Sequence, residues 1–417
     1  MIKPYDGLMS HREALEVVFD ELEKRDLEDQ RKAREMLGDR IADQIHPWIY
    51  DIDKAQSKHL DTQEFFYCPN IVKTDYYGNR LIGGVLMTRS ELHEFVASST
   101  GNEKNICQIC AIKDGETVFD DCWHGYTTDN TVNVMSVTKG VMAILTGIAK
   151  DKGLITGTDQ KVLEFFPDYQ VKRGEKTIYD VKLEHLLTMT APYKYRSEPW
   201  TKVCTSDDWT KAALDLLGGR SGITGEFKYA TLGIQILAGI IEKAAGVSCL
   251  DFANENLFKP LGIPEHVPHG DSSKEDQFEY LMSKAPHKNE WYSEPGGTVT
   301  AGWGLALSAR DMARIGWMLL NDGVYDGKMI LSKDWIHRMT SPIIRLGEDF
   351  GKMYYGYMWY RPNKLKPVFA AIGDGGNVIY ANPEKNISVG VSGTFKPRIF
   401  DRIKFIEKYI LPLVSEK

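Results

Sequence analysis

Apolar residues recur at helical spacing directly after residue 136, at Val141, Ile144, Leu145, Ile148 and Ala149. This i, i+3, i+4, i+7, i+8 series predicts an amphipathic helix that begins near residue 136 and buries one face. Gly153 follows the last apolar residue and is a typical helix terminator. The pattern therefore predicts one prominent core helix in this part of the chain.

Short alternating segments lie on both sides of this helix. Residues 106–124 contain two of them around a turn at Gly115, which is typical of a β-hairpin. Later segments of the same kind lie at residues 355–360, 378–381 and 387–392. Helices are predicted over residues 308–320 and 400–413. Strands followed by packing helices predict an α+β fold whose antiparallel sheet is completed late in the chain.

The organisation of the chain follows from changes in composition. Residues 11–53 are rich in Glu, Lys, Arg, Leu and Ala, so we expect a helical N-terminal extension over residues 1–85. Residues 86–417 are expected to form one larger domain. Within it, residues 156–290 combine helical stretches and turns with little strand alternation, which predicts an inserted, mainly helical subdomain.

Length, charge and cysteine content limit the possible classes of protein. The 417 residues, 42% of them hydrophobic, suffice for a large core. The formal charge of -7 is spread along the chain and offers no basic patch for nucleic acid. Six cysteines are too few for a disulfide-built scaffold, and no apolar run reaches signal-peptide or membrane-spanning length. We expect a cytoplasmic protein without nucleic-acid or membrane partners.

The first candidate for chemistry is Ser136, which is followed three residues later by Lys139. On a helix that begins near residue 136, the two side chains share one face, so the lysine nitrogen can reach the hydroxyl. If the lysine is buried, its charged form is disfavoured and the amine can remove the serine proton. The alternative is a helix-capping serine followed by a solvated lysine.

A second candidate is Tyr229, in a loop before the helical run that begins at Ile234. Thr231 is expected to cap that helix. A tyrosine beside a lysine cation can shuttle a proton to a leaving group. The alternative is a core tyrosine whose hydroxyl is hydrogen-bonded.

Four stretches of the chain resemble the serine β-lactamase, penicillin-binding-protein and related esterase family, chiefly its class C-like branch. The resemblance covers roughly residues 105–412. The stretches are residues 133–140 (NVMSVTKG), 183–190 (LEHLLTMT), 227–233 (FKYATLG) with 240–246 (IIEKAAG), and 302–316 (GWGLALSARDMARIG). Their order and distances make the combination more specific than any single stretch.

The resemblance implies a β-lactamase/transpeptidase-like fold, with a sheet flanked by helices and a helical subdomain that borders the active site. It implies acylation of Ser136, with Lys139 and Tyr229 sharing the general base and acid roles. Two backbone N–H groups, one of them on Ser136, are expected to form an oxyanion hole. No metal or organic cofactor is expected.

The chain departs from the family pattern at two places. Thr231 stands where many members have the asparagine of Tyr-x-Asn. Gly373, Asp374 and Gly375 stand where many members have Lys- or His-Thr-Gly, so the cation that binds a substrate carboxylate is missing. These residues are still expected to line the substrate site, where Asp374 could attract an amine, although an aspartate of a tight turn is the simpler interpretation.

These departures favour a serine hydrolase of small esters or amides over a strong penicillinase. Two alternatives stay open: a D-amino-acid peptidase or β-lactamase of the same family, and a penicillin-binding sensor that turns over slowly. The expected partner is a small ester, amide or peptide. Oligomeric state and natural substrate do not follow from the sequence.

Other candidates carry less weight. Tyr193, Tyr195 and Trp200 follow the second family stretch and, by resemblance, border the substrate pocket, although ordinary packing explains them equally well. Cys107 and Cys110 lie on a predicted strand with side chains on opposite faces, which suits a structural role. His266 and His269 are expected at the surface.

Overall fold

The computed structural model describes residues 87–270, 273–396 and 402–414, together with the backbone of two short strands before them. The chain divides into two compact units, Met1–Leu86 and Met87–Lys417. In the first unit, Lys73–Thr74 (β1) pairs antiparallel with Arg80–Leu81 (β2). The helices predicted between residues 11 and 53 lie outside the described residues.

The second unit contains an eight-stranded antiparallel sheet. Its strands are β3 (Ile106–Lys113), β4 (Glu116–Cys122), β11 (Ile344–Arg345), β12 (Tyr354–Tyr355), β13 (Tyr360–Arg361), β14 (Phe369–Gly373), β15 (Asn377–Asn382) and β16 (Ile387–Gly393). Their order across the sheet is β11-β12-β13-β14-β15-β16-β3-β4. The early hairpin joins the late strands where β16 pairs with β3, with Val389 opposite Ala111. The predicted α+β fold, with a sheet completed late in the chain, is thus confirmed.

Shorter strand pairs lie outside this sheet. They are β5 (Val132–Asn133) with β8 (Ala306–Leu307), β6 (Val267–His269) with β7 (Glu290–Tyr292), and β9 (Val324–Tyr325) with β10 (Lys328–Met329). The β6–β7 pair is parallel. Strand β5 lies directly before the serine motif, and its pairing with β8 places residues 132–133 beside the segment that follows residue 302.

One strand prediction is wrong in detail. Residues 355–360 were expected to form one alternating segment, but they contain a tight turn between β12 and β13, closed by a hydrogen bond from the Gly356 N–H to the Trp359 carbonyl at 2.9 Å. The N–H groups of Tyr357 and Met358 donate to the carbonyls of Met339 and Leu187, away from the sheet. The long-range contacts, which periodicity does not reveal, break the strand.

Helices pack around the sheet and build the residue 156–290 region. They are α1 (Arg89–Ser98), α2 (Val137–Asp151), α3 (Leu183–Leu187), α4 (Trp200–Cys204), α5 (Trp209–Leu216), α6 (Gln235–Ala245), α7 (Cys249–Ala253), α8 (Lys274–Met282), α9 (Ala309–Leu320), α10 (Lys333–Met339), α11 (Ile403–Phe405) and α12 (Leu411–Val414). Single π-helical segments, Asn254–Phe258 and Ile406–Ile410, follow α7 and α11. Most of the regular secondary structure between residues 156 and 290 is helical.

Helix α2 is more deeply buried than its amphipathic pattern predicts. Every residue from Val137 to Ala149 is buried, so the helix has no solvent-facing side over that length. Trp359 donates from its indole nitrogen to the Gly140 carbonyl at 3.2 Å, and Trp335 donates to the Ala143 carbonyl at 3.1 Å. Because α2 packs between the sheet and other helices, the position of its first turn is held by contacts along the whole helix.

The prediction of surface positions for two histidines is wrong for His266. This side chain is 1% exposed, and its two ring nitrogens contact the carbonyl oxygens of Pro264 and Ala306 at 2.9 and 2.6 Å. His269 is partly buried, and its ring nitrogen lies 2.9 Å from the Glu290 carboxylate. The proximity of β6 and β7 to β8 produces these contacts, which sequence spacing does not reveal.

Glu294 is a buried carboxyl whose titration is expected to affect stability. Burial raises its pKa to about 7, although the Trp209 backbone N–H donates to it. A carboxyl whose pKa is higher in the folded state stabilises the fold fully below the unfolded pKa, near 4.5, and loses this contribution as pH rises through 7. The Glu294→Gln variant is therefore expected to exceed the wild type in stability at pH 8 by about 1–3 kcal/mol, and to match it at pH 4.5.

Urea denaturation at both pH values measures this difference. Glu290→Gln is a matched control of opposite sign. Burial acts to raise the pKa of Glu290, but hydrogen bonds with His287 and His269 outweigh burial and lower it. The Glu290 variant is expected to lose stability at pH 8. Equal stability of Glu294→Gln and wild type at both pH values would contradict the argument.

Candidate active site

Ser136 lies at the end of a strained turn that leads into α2. The preceding residue, Met135, has a φ of 50°, a conformation that is costly for a residue with a side chain. The turn is closed by Thr138, whose hydroxyl donates to the Met135 carbonyl at 2.7 Å, and by Asn133, whose side-chain oxygen accepts from the Met135 N–H at 3.0 Å. Ser136 is partly exposed, and its hydroxyl makes no capping hydrogen bond to the helix.

Lys139 approaches the Ser136 hydroxyl from the next turn of the same helix face. The lysine is 1% exposed, and its Nζ lies 2.8 Å from the Ser136 Oγ. Nζ also donates to the Gly302 carbonyl at 2.6 Å and lies 4.9 Å from the centre of the Tyr229 ring. The structure therefore brings together the three residues predicted to be catalytic. Because Lys139 is buried, the alternative of a helix-capping serine followed by a solvated lysine does not apply.

The Gly302 carbonyl is held in place by α6. Gln235, the first residue of α6, donates to the Val299 carbonyl at 3.0 Å and accepts from the Ala301 N–H at 3.0 Å. A Cβ atom on Gly302 would lie 2.6 Å from Cγ2 of Thr231, so only glycine allows this close approach. These contacts orient the Gly302 carbonyl toward the Lys139 nitrogen.

The prediction that Thr231 caps the following helix is wrong. Helix α6 begins at Gln235, four residues later, and its N-cap position is Ile234. Thr231 instead packs against Gly302. The turn formed by residues 231–234 delays the helix start, and apolar periodicity does not distinguish a tight turn from a first helical turn.

Tyr229 is positioned by the second family stretch. The backbone N–H of Lys228 donates to the Met189 carbonyl at 2.7 Å, and that of Ala230 contacts the Met189 Sδ at 3.3 Å. Met189 has a φ of 57°, which turns the chain sharply after α3. The loop with Tyr229 is thus anchored on both sides of the tyrosine by a single residue.

Aromatic rings surround the Tyr229 phenol. The Phe350 ring centre lies 5.6 Å from it, and Phe227 lies 6.5 Å away. Burial, together with the neighbouring Tyr229 phenol, raises the pKa of Tyr360 well above its ordinary value. Tyr360 therefore stays neutral and adds no charge to the site.

The end of β14 lies against the first turn of α2. A Cβ atom on Gly373 would lie 2.9 Å from the Ser136 amide nitrogen and 3.0 Å from that of Val137. Asp374 is exposed and begins the turn that continues through Gly375, whose φ is 81°. The end of β14 and the turn after it thus lie next to Ser136. Residue 373 is a glycine because a side chain there would block this close approach.

The aromatic residues after α3 have different environments. Tyr193 is 9% exposed and lies against Gly233, and its ring stacks on that of Tyr195 at 5.3 Å. The Tyr195 hydroxyl is 3.4 Å from the Glu198 carboxylate. Trp200, at the start of α4, is 43% exposed. Tyr193 thus packs within the loop. Contacts of Tyr195 and Trp200 with a substrate remain predictions.

Three residues of this arrangement were not singled out from the sequence. Gly302 and Met189 act through backbone or sulfur atoms, so their residue types carry no chemical signal, although both lie within the family stretches. Glu198 accepts a hydrogen bond from the Leu232 N–H at 2.7 Å, and burial raises its pKa. A lone acidic residue in a polar loop is too common to be predicted as functional.

No described group of His, Cys, Asp or Glu residues has an arrangement suited to a metal ion. Cys107 and Cys110 are buried free thiols on β3, in separate side-chain clusters. Burial raises the pKa of Cys107 to about 11 and that of Cys110 to about 12. Both are therefore protonated at neutral pH and suit packing rather than reactivity.

The antiparallel sheet with its packed helices is a β-lactamase/transpeptidase-like fold, a class whose members include hydrolases. The Beta-lactamase family model matches residues 107–404 of the chain. The chain therefore belongs to this family of hydrolases, as its motifs predicted. None of the helices in the described ranges is long and apolar enough to span a bilayer.

Individual relatives are distant. The chain is 25% identical over 234 residues to the 6-aminohexanoate-dimer hydrolase of Paenarthrobacter ureafaciens, covering 52% of each chain. The octameric penicillin-binding protein homologue of Pyrococcus abyssi has a TM-score of 0.58 and 24% identity, over 79% of this chain and 77% of that one. A family VIII carboxylesterase has a TM-score of 0.55 and 20% identity, over 78% and 97%. The chain spans about half the length of the curated relatives it matches.

Proposed function

We propose that the protein is a serine hydrolase that cleaves small esters or amides through an acyl-enzyme on Ser136. The observation that carries the proposal is the buried Lys139 nitrogen at 2.8 Å from the Ser136 Oγ. A base at hydrogen-bond distance from a hydroxyl is the arrangement that activates a serine nucleophile. A structural ion pair would have placed a carboxylate, not a hydroxyl, beside this lysine.

In the acylation step, the Ser136 Oγ attacks the substrate carbonyl carbon while the neutral Lys139 amine takes the hydroxyl proton. The Gly302 carbonyl accepts a hydrogen bond from the same nitrogen at 2.6 Å, which orients the amine toward the serine. The C–O or C–N bond of the tetrahedral intermediate then breaks, leaving an acyl group on Ser136.

Tyr229 is the proposed proton donor to the leaving group. Its phenol proton moves to the departing alkoxide or amine, and the Lys139 ammonium returns a proton to the phenolate. The Lys139 Nζ lies 4.9 Å from the centre of the Tyr229 ring, so the two side chains are neighbours in the site. Water then attacks the acyl carbon and gives a proton to Lys139. The bond between the acyl carbon and the Ser136 Oγ breaks, the Oγ takes that proton, and the carboxylic acid leaves the restored serine.

The Ser136 N–H is the proposed first donor to the oxyanion. It lies at the start of α2, where the amide groups point out of the helix toward negative charge. Gly373 lies beside it, where a Cβ atom would be only 2.9 Å from the Ser136 amide nitrogen, so glycine keeps a side chain away from this donor. The second donor is expected from the adjoining turn, which contains Asp374 and Gly375.

The absence of a lysine or histidine in that turn supports small neutral or amine-bearing esters and amides over β-lactams. The exposed Asp374 carboxylate repels a substrate carboxylate, and Thr231 is too short to provide the amide of asparagine. We further place the enzyme in the cytoplasm, since Cys107, Cys110, Cys122, Cys204 and Cys249 are all free thiols, which suits a reducing compartment.

Intact-mass spectrometry after exposure to p-nitrophenyl acetate, a fluorophosphonate and a penicillin tests the proposal. We expect one covalent fluorophosphonate adduct, located by peptide mapping at Ser136, and rapid release of p-nitrophenol from the ester. Heat-denatured protein, treated identically, controls for nonspecific labelling. A persistent penicillin adduct without ester turnover would instead favour the sensor alternative, and no adduct with any probe would overturn the proposal.

A further inference from the structure

We infer that Asn133 and Thr138 are positioning residues, whose side chains hold the turn before Ser136 against the segment that presents the Gly302 carbonyl to Lys139. The inference rests on the proposed function, because it concerns the distance between the serine and its base. Each of the two side chains contacts both chain segments through one oxygen atom. In the described part of the chain, neither bonds to the Ser136 hydroxyl or the Lys139 nitrogen, so both act through the backbone.

Backbone pairing between the two segments stops just before the serine. Strand β5 pairs with β8, and the next hydrogen bond toward the site runs from the Val134 N–H to the Leu305 carbonyl at 2.9 Å. The residues that follow on the two segments, Met135 and Gly304, have φ values of 50° and 86°. These left-handed conformations turn both chains out of the β geometry, so their buried backbone groups need other partners.

The Asn133 side chain is the partner of the next two backbone donors. Its Oδ1 accepts from the Met135 N–H at 3.0 Å and from the Gly304 N–H at 3.3 Å. Asn133 is 2% exposed, and only the oxygen of its amide can face two N–H groups, which fixes the orientation of the side chain. One atom therefore joins the residue before Ser136 to the segment that follows Gly302.

The Thr138 hydroxyl makes the corresponding contact on the carbonyl side of Met135. It donates to the Met135 carbonyl at 2.7 Å and accepts from the Leu305 N–H at 3.3 Å. Thr138 and Leu305 are both 0% exposed, so bulk water does not replace these bonds. Together, Asn133 and Thr138 hold the N–H and the carbonyl of Met135 and the consecutive amides of Gly304 and Leu305.

These four hydrogen bonds determine where the base lies relative to the nucleophile. The Lys139 Nζ lies 2.8 Å from the Ser136 Oγ, on the serine turn, and 2.6 Å from the Gly302 carbonyl, on the other segment. A shift between the two segments therefore lengthens one of these contacts. Gln235 on α6 and Tyr280 on α8 also bond to the Gly302 segment, but they attach it to helices and not to the serine turn.

Substitutions of similar shape test each link. Thr138→Val removes the hydroxyl, Thr138→Ser keeps it, and Asn133→Leu removes the acceptor of both N–H groups. Thr146→Val is the matched control, because Thr146 is equally buried on the same helix and its hydroxyl donates to the Met142 carbonyl at 2.8 Å. The control thus loses a buried hydroxyl from α2 without a change at the serine turn.

The rate of Ser136 labelling by a fluorophosphonate is measured against probe concentration, at a temperature well below every melting transition. For Thr138→Val and Asn133→Leu, we expect a maximal rate lower by roughly 10–100-fold and a half-saturating concentration within roughly threefold of the wild type, because misplaced reacting groups slow bond formation more than they weaken binding. Thr138→Ser should recover most of the rate. Thr146→Val should melt earlier and be labelled at the wild-type rate.

Several results would contradict the inference. One is a maximal rate in Thr138→Val or Asn133→Leu equal to that of Thr146→Val, which would leave the side chain with a role in stability only. Another is a slow Thr138→Val rate that Thr138→Ser does not raise. If neither Thr138→Val nor Asn133→Leu folds although Thr146→Val does, these contacts serve the fold as a whole, and the inference is again wrong.

The wild type separates this inference from the proposed function. Absence of Ser136 labelling in the folded wild-type protein would overturn the proposed function and the inference with it. Normal labelling of the wild type, with unchanged maximal rates in the Thr138 and Asn133 variants, would overturn the inference alone.

Discussion

Replacing Ser136 by alanine is expected to reduce ester turnover by about 10⁴-fold or more while leaving the fold intact, the range seen when other serine hydrolases lose their nucleophile. The physical reason is that, among the described residues, Ser136 supplies the one hydroxyl that is hydrogen-bonded to the proposed base: the Lys139 Nζ donates to the Ser136 Oγ and to the Gly302 carbonyl. Hydrolysis of p-nitrophenyl acetate and the fluorophosphonate adduct both measure the loss.

The stability of this variant should be close to that of the wild type. Although Ser136 occupies the N-cap position of α2, its hydroxyl makes no capping hydrogen bond, so its removal does not cost helix stability. Ser98→Ala, at the end of α1, is the matched control and should keep full activity. Retention of more than a tenth of wild-type turnover by Ser136→Ala would refute the mechanism.

Replacing Lys139 by methionine is expected to lower kcat by about 10²–10⁴-fold, the usual contribution of a positioned proton acceptor. Methionine has nearly the length of the lysine stem but cannot accept the serine proton. The buried Gly302 carbonyl would lose its donor at 2.6 Å, so we also expect the free energy of unfolding to fall by about 1–3 kcal/mol.

Lys150→Met is the matched control on the same helix, because Lys150 is partly exposed and, among the described residues, forms an ion pair only with Asp151, at 3.5 Å. It should leave both activity and stability nearly unchanged. Steady-state kinetics with p-nitrophenyl acetate and thermal unfolding of both variants make the comparison. Near-normal turnover by folded Lys139→Met would remove the lysine from the mechanism, and it would transfer the role of base to Tyr229.

Much of the fold was readable from the sequence because the signals are local. The helix after residue 136 and the hairpin around Gly115 each follow from a period of apolar residues and a glycine at the end or turn. The α9 helix follows the same rule, and Ser308 and Asp311 cap it reciprocally. Where distant chain segments intervene, as in the turn between β12 and β13, local periodicity gave the wrong result.

The catalytic candidates were also identified from the sequence, since Ser136 and Lys139 lie one helical turn apart and so must share a face in any helix that contains both. Tyr229 is different. It lies 90 residues after Lys139 by number, and only its place in a family stretch indicated it. Its anchor, Met189, acts through a carbonyl and a sulfur atom, which no residue pattern predicts.

The sequence by itself determined the family, the α+β class and the serine–lysine pair, because each depends on short spacing or on motif order. Only the tertiary structure decided that Lys139 is buried, that the Gly302 carbonyl is its second partner and that Met189 anchors the residues on both sides of Tyr229. These features depend on contacts between residues far apart in the chain, and on backbone atoms that all residue types share.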